Sequence, residues 1–210
     1  MSHRGILTVV SGFSGAGKGT VMKELVKKPD YKLSISATTR LPREGEADGR
    51  EYFFLTREKF ESMIEAGQFI EHAEYVGNYY GTPKKYVEEQ LEAGYNVILE
   101  IEIQGALHVK EVFPDALLLF IVPPSAKILK ERLINRGTED TTTVNKRMNR
   151  AVEEAQYMGQ YDYLVVNDKL DDCVEAVHHI ILSEKDKVKY NKEFICEMKR
   201  QLTAIQEGDL

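Results

Sequence analysis

Short apolar runs recur along the chain at intervals typical of buried β-strands. The four clearest runs are 5–10, 96–103, 116–122 and 163–166. A strand that is buried on both faces shows a nearly continuous apolar run, because its side chains avoid water on both sides. We therefore predict a strand at each of these positions. The first run ends at Ser11-Gly12 and the third ends before Pro123, as expected where strands give way to loops.

Apolar residues at helical spacing fill the segments between and after these strands. Val21, Leu25 and Val26 lie on one face of a predicted helix that ends before Pro29. The same reasoning predicts helices over 86–93, 126–136 and 143–158, and another that begins at Leu170. Strands that alternate with helices indicate an α/β fold with a parallel sheet and right-handed crossovers.

Residues 34–83 break this alternation. The elements predicted there are strands over 51–55 and 69–76, a helix over 57–66, and a turn with a short strand over 78–82. Thr56 can cap the start of the helix and Gly67 its end. We interpret the segment as an inserted, partly antiparallel region.

A second insertion, 126–158, is helical and rich in lysine and arginine. The chain has 210 residues, which suits one large domain or one core with insertions. We therefore predict a core with the two insertions attached to it. The core consists of 1–33, 84–125 and 159–210.

Composition and charge narrow the class of protein. Apolar residues make up 42% and charged residues 30%, which is ordinary for a globular chain and too apolar for general disorder. The net charge of −6 argues against general nucleic-acid binding but leaves room for local basic pockets. The longest apolar run, 116–122, is far shorter than the about 20 residues that cross a membrane. Cys173 and Cys196 form no zinc pattern and suit a reducing compartment, so we expect a cytoplasmic chain without membrane partners.

A glycine-rich loop follows the first predicted strand and precedes the first predicted helix. Its residues are Gly12, Phe13, Ser14, Gly15, Ala16, Gly17, Lys18, Gly19 and Thr20, which fit the pattern G-x-x-x-x-G-K. Such glycines let successive backbone N–H groups surround a phosphate, and the following helix adds its positive end. Lys18 supplies a cation for the β- and γ-phosphates of a nucleotide. A glycine-rich turn without a ligand is the alternative, which the position between strand and helix disfavours.

Gly19 stands where this loop usually has a serine or threonine that ligates Mg²⁺. We therefore expect Mg²⁺ to be held mainly by nucleotide phosphates and water, with Thr20 as a candidate protein ligand.

The segment Ser36–Glu46, SATTRLPREGE, closely resembles the signature of the guanylate kinase family. The resemblance continues, in the order found in the family, through 52–54, 69–71, 77–82, 100–105 and 161–168. It implies a P-loop core with a five-stranded parallel sheet, a GMP-binding region at 34–83 and a helical lid at 126–158. It also implies that the chain transfers a phosphoryl group from MgATP to GMP or dGMP, as part of purine nucleotide metabolism.

Arg40 and Arg43 are the expected phosphate clamp for GMP. Two guanidinium groups can hold a nucleoside monophosphate, and the hydroxyl groups of Tyr52 and Tyr80 can add hydrogen bonds. The matching family positions do this. A solvated basic turn is the alternative for the arginines, and simple packing is the alternative for the tyrosines.

Glu71 is the candidate for reading the base. Guanine presents two parallel donors, which a carboxylate accepts together, whereas adenine presents an acceptor at N1 that the carboxylate repels. Ser36 and Thr82 match family positions that contact the base. A surface glutamate without a ligand is the alternative for Glu71.

Glu100 and Glu102 lie two residues apart, so we expect both to point to one face near the end of a strand. Many relatives have aspartate at both positions. We expect Glu100 to help orient Mg²⁺ through water and Glu102 to serve the GMP side, with an exposed acidic edge as the alternative.

Arginines in the predicted lid complete the expected machinery. Arg136 and Arg147 match family positions that close over the transferring phosphoryl group, and Arg132 and Arg150 are further candidates. The expected catalytic residues are Lys18, Arg43, Arg136 and Arg147. Asn167 matches the family's contact with the adenine edge, with a turn-forming asparagine as the alternative. For the lid arginines the alternative is a charged surface.

The C-terminal stretch has apolar residues at helix-like or heptad-like spacing, namely Val188, Ile195, Met198, Leu202 and Ile205. We expect this face to pack on the core, and a coiled-coil interface is the alternative. The sequence leaves open whether the chain forms a homodimer.

Two other functions are alternatives to GMP phosphorylation. Guanylate kinase-like domains of scaffold proteins bind phosphopeptides, but such domains typically lack an intact phosphate loop. A kinase for another nucleotide or for a phosphorylated sugar would not need Glu71 with Ser36 and Thr82.

Overall fold

A computed structural model describes residues 4–75, 77–135 and 141–207 of the chain. The strands within these residues are β1 (Leu7–Gly12), β2 (Tyr31–Leu33), β3 (Ala37–Thr38), β4 (Phe53–Phe54), β5 (Phe69–Tyr75), β6 (Asn78–Pro83), β7 (Asn96–Glu100), β8 (Leu117–Val122) and β9 (Tyr163–Val166). The helices are α1 (Lys18–Leu25), α2 (Arg57–Glu65), α3 (Lys84–Glu92), α4 (Ile103–Val112), α5 (Ala126–Asn135), α6 (Thr141–Ala155), α7 (Leu170–Lys185) and α8 (Lys192–Glu207). Two short 3₁₀ turns cover Met158–Gln160 and Val188–Tyr190.

Five strands form one parallel sheet in the order β2-β7-β1-β8-β9. Val9 and Val10, adjacent in the central strand β1, belong to different apolar clusters, because successive side chains of a strand point to opposite faces. Helices α1 and α7 cover one face and α3 and α4 cover the other. The predicted α/β fold with a parallel sheet is confirmed.

Two strands of this sheet differ from their predicted form. The first strand was expected over 5–10 and runs on to Gly12, because β8 pairs with it as far as Ile121. Strand β2 was not predicted from periodicity. It has three residues, Tyr31–Leu33, and such a short edge strand carries too little alternation to stand out from a loop.

The prediction of one strand over 96–103 is wrong. Strand β7 ends at Glu100, and α4 begins at Ile103. Ile103, Ala106 and Val109, each three residues apart, are buried on one side of that helix, and this helical face outweighs the strand-like alternation before it. Glu102 is the residue that precedes the helix, so Glu100 and Glu102 do not share one face of a strand.

The inserted segment forms a second sheet of four strands in the order β4-β3-β6-β5. Strand β3 is parallel to β4 and antiparallel to β6, and β5 and β6 form a hairpin, so the sheet is partly antiparallel as predicted. The helix predicted in this region is present as α2, and the Thr56 hydroxyl accepts the Lys59 N–H at its start. The strand predicted over 51–55 is only Phe53–Phe54. Phe60 holds the segment together, because its ring is fully buried and stacks on that of Phe69.

Helices α5 and α6 follow β8 and pack against each other. Helix α5 ends at Asn135, and Arg136 lies outside the described residues. The helix predicted over 143–158 runs over Thr141–Ala155 and is followed by a 3₁₀ turn.

The prediction that the C-terminal apolar face packs on the core is wrong. Helix α8 forms, but none of its residues is buried, and Leu202 and Ile205 are each 59% exposed. Helices α1, α7, α3 and α4 already cover both faces of the large sheet, which leaves little core for α8 to join. The turn before α8 is tied down by charge instead, since Lys189 Nζ lies 2.9 Å from a carboxylate oxygen of Asp115. Among the described residues, no helix is both long and apolar enough to cross a membrane.

Matched leucine substitutions test this difference between the core and α8. Leu25→Ala removes a fully buried side chain and should lower the free energy of unfolding by about 2–5 kcal/mol. Leu202→Ala should lower it by about 0.5 kcal/mol or less, because the side chain is already exposed. Urea unfolding of both variants measures the two losses. Equal losses would mean that the α8 face is buried in solution, against the core or against a second chain.

Candidate active site

The phosphate loop joins the end of β1 to the start of α1. A side chain at Gly12 would place its Cβ 2.1 Å from the carbonyl oxygen of Ile121, so β8 passes too close for any other residue. Gly17 precedes α1 with φ +92°, in the left-handed region that favours glycine. The local geometry of this strand, loop and helix is therefore the one that the sequence pattern predicts.

Lys18 folds back over the loop. Its Nζ donates to the carbonyl oxygens of Gly12 over 2.5 Å and of Phe13 over 3.3 Å. The ammonium group is thereby held beside the loop, half-buried, where a phosphate would lie among the backbone N–H groups.

Asn167, directly after β9, braces the phosphate loop through hydrogen bonds. Its side-chain amide donates to the carbonyl oxygen of Ala16 over 2.7 Å, and its backbone N–H donates to that of Val122 over 2.7 Å. The residue is 6% exposed. This structural role was not predicted, and the contact of Asn167 with adenine stays a prediction.

Glu100 stands at the end of β7 beside the phosphate loop. Both of its carboxylate oxygens lie 3.8 Å from the place that a Cβ on Gly19 would occupy. Ser14, Gly19, Thr20 and Glu100 line one cavity of about 310 Å³. Carboxylate and hydroxyl oxygens are the ligands that Mg²⁺ prefers, and it keeps several waters, so this set fits partial coordination by the protein. Within the part of the chain that the structure describes, no group of three His, Cys, Asp or Glu side chains could hold a metal.

Helix α6 brings two arginines over this region. Arg147 Nη1 donates to Ser14 Oγ over 2.7 Å, and Arg150 Nη2 lies 2.6 Å from Glu102 Oε2. Arg147, Arg150, Glu100 and Glu102 share a cavity of about 470 Å³ with Lys18. The structure thus places Arg147 at the phosphate loop, and its role over the transferring phosphoryl group stays a prediction. Arg132 Nη2 donates to the carbonyl oxygen of Asp168 over 3.4 Å.

Arg40 lies in the loop after β3 and is held on several sides. Its Nη2 donates to both carboxylate oxygens of Glu46, over 3.0 and 2.9 Å, and Nη1 donates to the carbonyl oxygen of Leu41 over 2.7 Å. Its guanidinium carbon lies 5.5 Å from the centre of the Tyr52 ring. Hydrogen bonding to Glu46 raises the pKa of Arg40, and a hydrogen bond with Tyr80 adds to this rise.

Arg43 and the two tyrosines belong to the same region as Arg40. The Arg43 side chain is exposed, while its backbone N–H donates to Glu46 over 2.8 Å. The rings of Tyr52 and Tyr80 are 6.1 Å apart, edge to face. The structure therefore gathers both arginines and both tyrosines in one region.

Glu71 lies on β5 and faces the first turn of α4. Its Oε1 accepts a hydrogen bond from Thr82 Oγ1 over 2.7 Å, and Oε2 lies 3.6 Å from the place that a Cβ on Gly105 would occupy. Burial raises the pKa of Glu71, and the Thr82 hydroxyl and the charges of His72 and His108 oppose this rise. A carboxylate in such a place is costly and needs a partner, which two parallel N–H donors of a ligand would supply.

Ser36, Tyr52 and Thr82 line a smaller cavity, of about 210 Å³, together with Glu100. Glu102 is not among its walls and pairs with Arg150, and its expected role on the GMP side stays a prediction.

Sequence reasoning missed the contacts of Glu46 and of Glu154, which accepts from Arg150 Nε over 3.0 Å. Glu46 lies within the signature segment, three residues after Arg43, and that spacing was the available signal. Glu154 lies four residues after Arg150 in the predicted helix, and that spacing was the available signal for this pair. Nothing in the sequence pattern indicates that Glu102 meets the same arginine.

Relatives of known name match the chain in sequence and in structure. The family model described as guanylate kinase matches residues 4–184. The chain is 49% identical over 202 residues to the guanylate kinase of Caldanaerobacter subterraneus subsp. tengcongensis, which covers 96% of this chain and 98% of that one. It is 50% identical over 195 residues to the guanylate kinase of Clostridioides difficile, with 92% and 95% covered.

A solved structure agrees with these matches. The crystal structure of guanylate kinase from Anaplasma phagocytophilum superposes on the chain with a TM-score of 0.67 at 31% identity, and 89% of each chain is covered. Since the family model spans most of the sequence and these relatives align over nearly its whole length, the chain belongs to the guanylate kinase family.

Proposed function

We propose that this chain transfers the γ-phosphoryl group of ATP to GMP or dGMP and so forms ADP and GDP or dGDP. One observation carries the proposal. Glu100 is a wall of the cavity at the phosphate loop and also of the cavity that Ser36, Tyr52 and Thr82 line. Two cavities therefore meet at one carboxylate, which is the arrangement that transfer between two nucleotides needs.

In this proposal each region of the chain has one task. The core, 1–33, 84–125 and 159–210, holds ATP through the phosphate loop, with Lys18 on the β- and γ-phosphates and Asn167 near the adenine. The segment 34–83 binds GMP, and 126–158 acts as the lid that brings Arg147, with Arg136, over the reacting groups.

GMP is held at its phosphate and at its base. Arg40 and Arg43 bind the phosphate, and the hydroxyl groups of Tyr52 and Tyr80 add hydrogen bonds. Glu71 accepts the N1–H and the 2-amino group of guanine. Thr82 orients that carboxylate through the 2.7 Å hydrogen bond, and Ser36 lies at the same cavity.

The transfer needs no general base from the protein. The second pKa of a phosphate monoester is about 6, so the GMP phosphate is largely ionised at neutral pH and can attack directly. The task of the protein is to align the two nucleotides and to neutralise the charge that spreads over the transferring group. Lys18 and Arg147 lie at one cavity and supply that charge, with Arg43 at the acceptor phosphate. Closure of the lid excludes water, which would otherwise take the phosphoryl group.

Mg²⁺ fits the oxygen groups at the phosphate loop. Glu100 and Thr20 would hold it, together with the nucleotide phosphates and water. When bound, the ion neutralises phosphate charge and polarises the group that is transferred.

A coupled assay of ADP release tests this function. The assay compares GMP, AMP, UMP and CMP as acceptors for ATP and Mg²⁺. We expect rapid release with GMP and near-background release with the others. Equal release with another acceptor would contradict the choice of guanine, and no release with any of them would favour a binding module for phosphorylated ligands.

Glu71→Gln should lower kcat/KM for GMP by about 10²-fold or more. The amide cannot accept both guanine donors, and a buried donor without a partner costs about 1–3 kcal/mol or above. Turnover of AMP should rise or stay unchanged, because the amide can donate to the acceptor of adenine. Glu74→Gln, an exposed position on the same strand, is the matched control and should behave as wild type. If the ratio of GMP to AMP turnover is unchanged in Glu71→Gln, another residue reads the base.

Binding of guanosine should weaken as the pH falls, because only ionised Glu71 accepts both guanine donors. Burial raises the pKa of Glu71, so the midpoint of this loss should lie above the ordinary range for glutamate. Guanosine is the ligand of choice, since it lacks the phosphate of GMP, whose second pKa of about 6 falls within the range of the measurement. Thr82→Val should move the midpoint to still higher pH, because the hydroxyl group stabilises the carboxylate. Calorimetry from pH 4.5 to 8 measures the affinity, and a flat profile would contradict a carboxylate reader.

Arg147→Ala should lower kcat far more than it weakens GMP binding. Its charge is needed mainly in the transition state, where one such arginine supplies on the order of 10³-fold. Arg200→Ala, an exposed arginine on α8, is the matched control. Steady-state kinetics with both substrates varied separates kcat from KM. An unchanged kcat with a raised KM would assign Arg147 to ground-state binding.

A further inference from the structure

Glu46 binds two separate parts of the loop between β3 and β4. Arg40 Nη2 donates to both of its carboxylate oxygens, over 3.0 and 2.9 Å, and Arg43 donates its backbone N–H to Oε2 over 2.8 Å. The side chains of Arg40 and Glu46 are only 16% and 19% exposed, so water competes little for this pair. One carboxylate thus ties together both residues of the proposed phosphate clamp.

These contacts orient the Arg40 guanidinium before any ligand arrives. Glu46 engages Nη2, and the carbonyl oxygen of Leu41 engages one donor of Nη1 over 2.7 Å. The rings of Tyr52 and Phe54 lie 5.5 and 5.8 Å from the guanidinium carbon. Tyr80 also forms a hydrogen bond with this side chain. An arginine fixed in this way loses less entropy when it binds a ligand.

We propose that Glu46 is a positioning residue for the acceptor phosphate: it holds Arg40 and the backbone at Arg43 in the arrangement that receives the phosphate group. The proposal rests on the proposed function, which makes Arg40 and Arg43 the clamp. The Arg43 backbone N–H, and then the Arg40 guanidinium, lower the pKa of Glu46. Its carboxylate therefore stays charged at neutral pH.

A carboxylate beside an anion site can also act as a competitor that the phosphate must displace. The two roles predict opposite signs, since removal of a competitor tightens GMP binding and removal of a positioning group weakens it. The geometry favours positioning. Glu46 is anchored by a backbone N–H that does not depend on the arginine side chain, and it engages one nitrogen of Arg40 rather than the whole guanidinium.

Glu46→Gln is the informative variant, because it keeps the size of the side chain and removes the charge. We expect the dissociation constant for GMP to rise about tenfold, as charge-assisted hydrogen bonds that orient Arg40 are lost. The affinity for guanosine, which has no phosphate, should stay within about twofold. At saturating GMP, kcat should stay within about threefold, because Arg40 holds the phosphate equally in the ground state and the transition state. Glu44→Gln removes an exposed carboxylate from the same loop and should leave all three quantities unchanged.

Calorimetry with GMP and guanosine, with thermal unfolding as a check on folding, decides the matter. Tighter GMP binding in Glu46→Gln would make Glu46 a competitor, and equal losses for GMP and guanosine would make it a general structural residue. Unchanged GMP binding would leave it without a role. Each of these results overturns the proposal.

Arg40→Ala, measured alongside, separates this inference from the proposed function. If Arg40→Ala weakens GMP no more than guanosine, the phosphate clamp itself is wrong. If Arg40→Ala weakens GMP selectively and Glu46→Gln does not, only the positioning role is wrong. In the double variant most of the Glu46→Gln loss should disappear, since Glu46 then has no guanidinium to hold. Fully additive losses would contradict action through Arg40.

Discussion

The common direction of the strands in the large sheet is the constraint on which the site depends. Because β1, β7, β8 and β9 run the same way, their carboxyl ends lie at one edge of the sheet. The residues that end or directly follow three of these strands, Gly12, Glu100 and Asn167, therefore converge without any long loop to bring them together. Ligand sites of open α/β sheets lie at this edge for the same reason. The second sheet and α6 then complete the site by approaching this one group of residues.

Two of the positive charges at the site are paired with carboxylates. Arg40 pairs with Glu46, and Arg150 pairs with Glu102. A chain with a net charge of −6 can thus hold these two cations without a basic surface, because each is paired locally with a carboxylate. Glu71 is the reverse case, since its burial makes the ionised carboxylate costly, and hydrogen-bond donors of a ligand would relieve that cost.

How much the sequence predicts depends on how local the deciding interactions are. The phosphate loop and β8 follow from patterns within a few residues, and both are present. The end of β7 was misjudged because the burial of Ile103 and Val109 against the sheet, rather than the alternation before them, decides where α4 begins. The pairing of Arg150 with Glu102 spans 48 residues and leaves no mark in either segment. For α8 the spacing predicts the helix correctly, but only the finished fold shows that both sheet faces are already covered. The division into core, GMP-binding region and lid, and the roles of the site residues, stay predictions.

The hydrogen bond between Asn167 and the phosphate loop, which braces the loop, has a consequence for how the protein folds during synthesis. Asn167 reaches Ala16 across 151 residues of chain, and β1 lies between strands that are synthesised much later. The loop is therefore synthesised well before it can gain all its contacts. Contacts of such sequence separation close slowly, since the intervening chain must be ordered first. A nascent chain released before β9 has emerged would carry the whole loop sequence and lack the brace that holds it in shape.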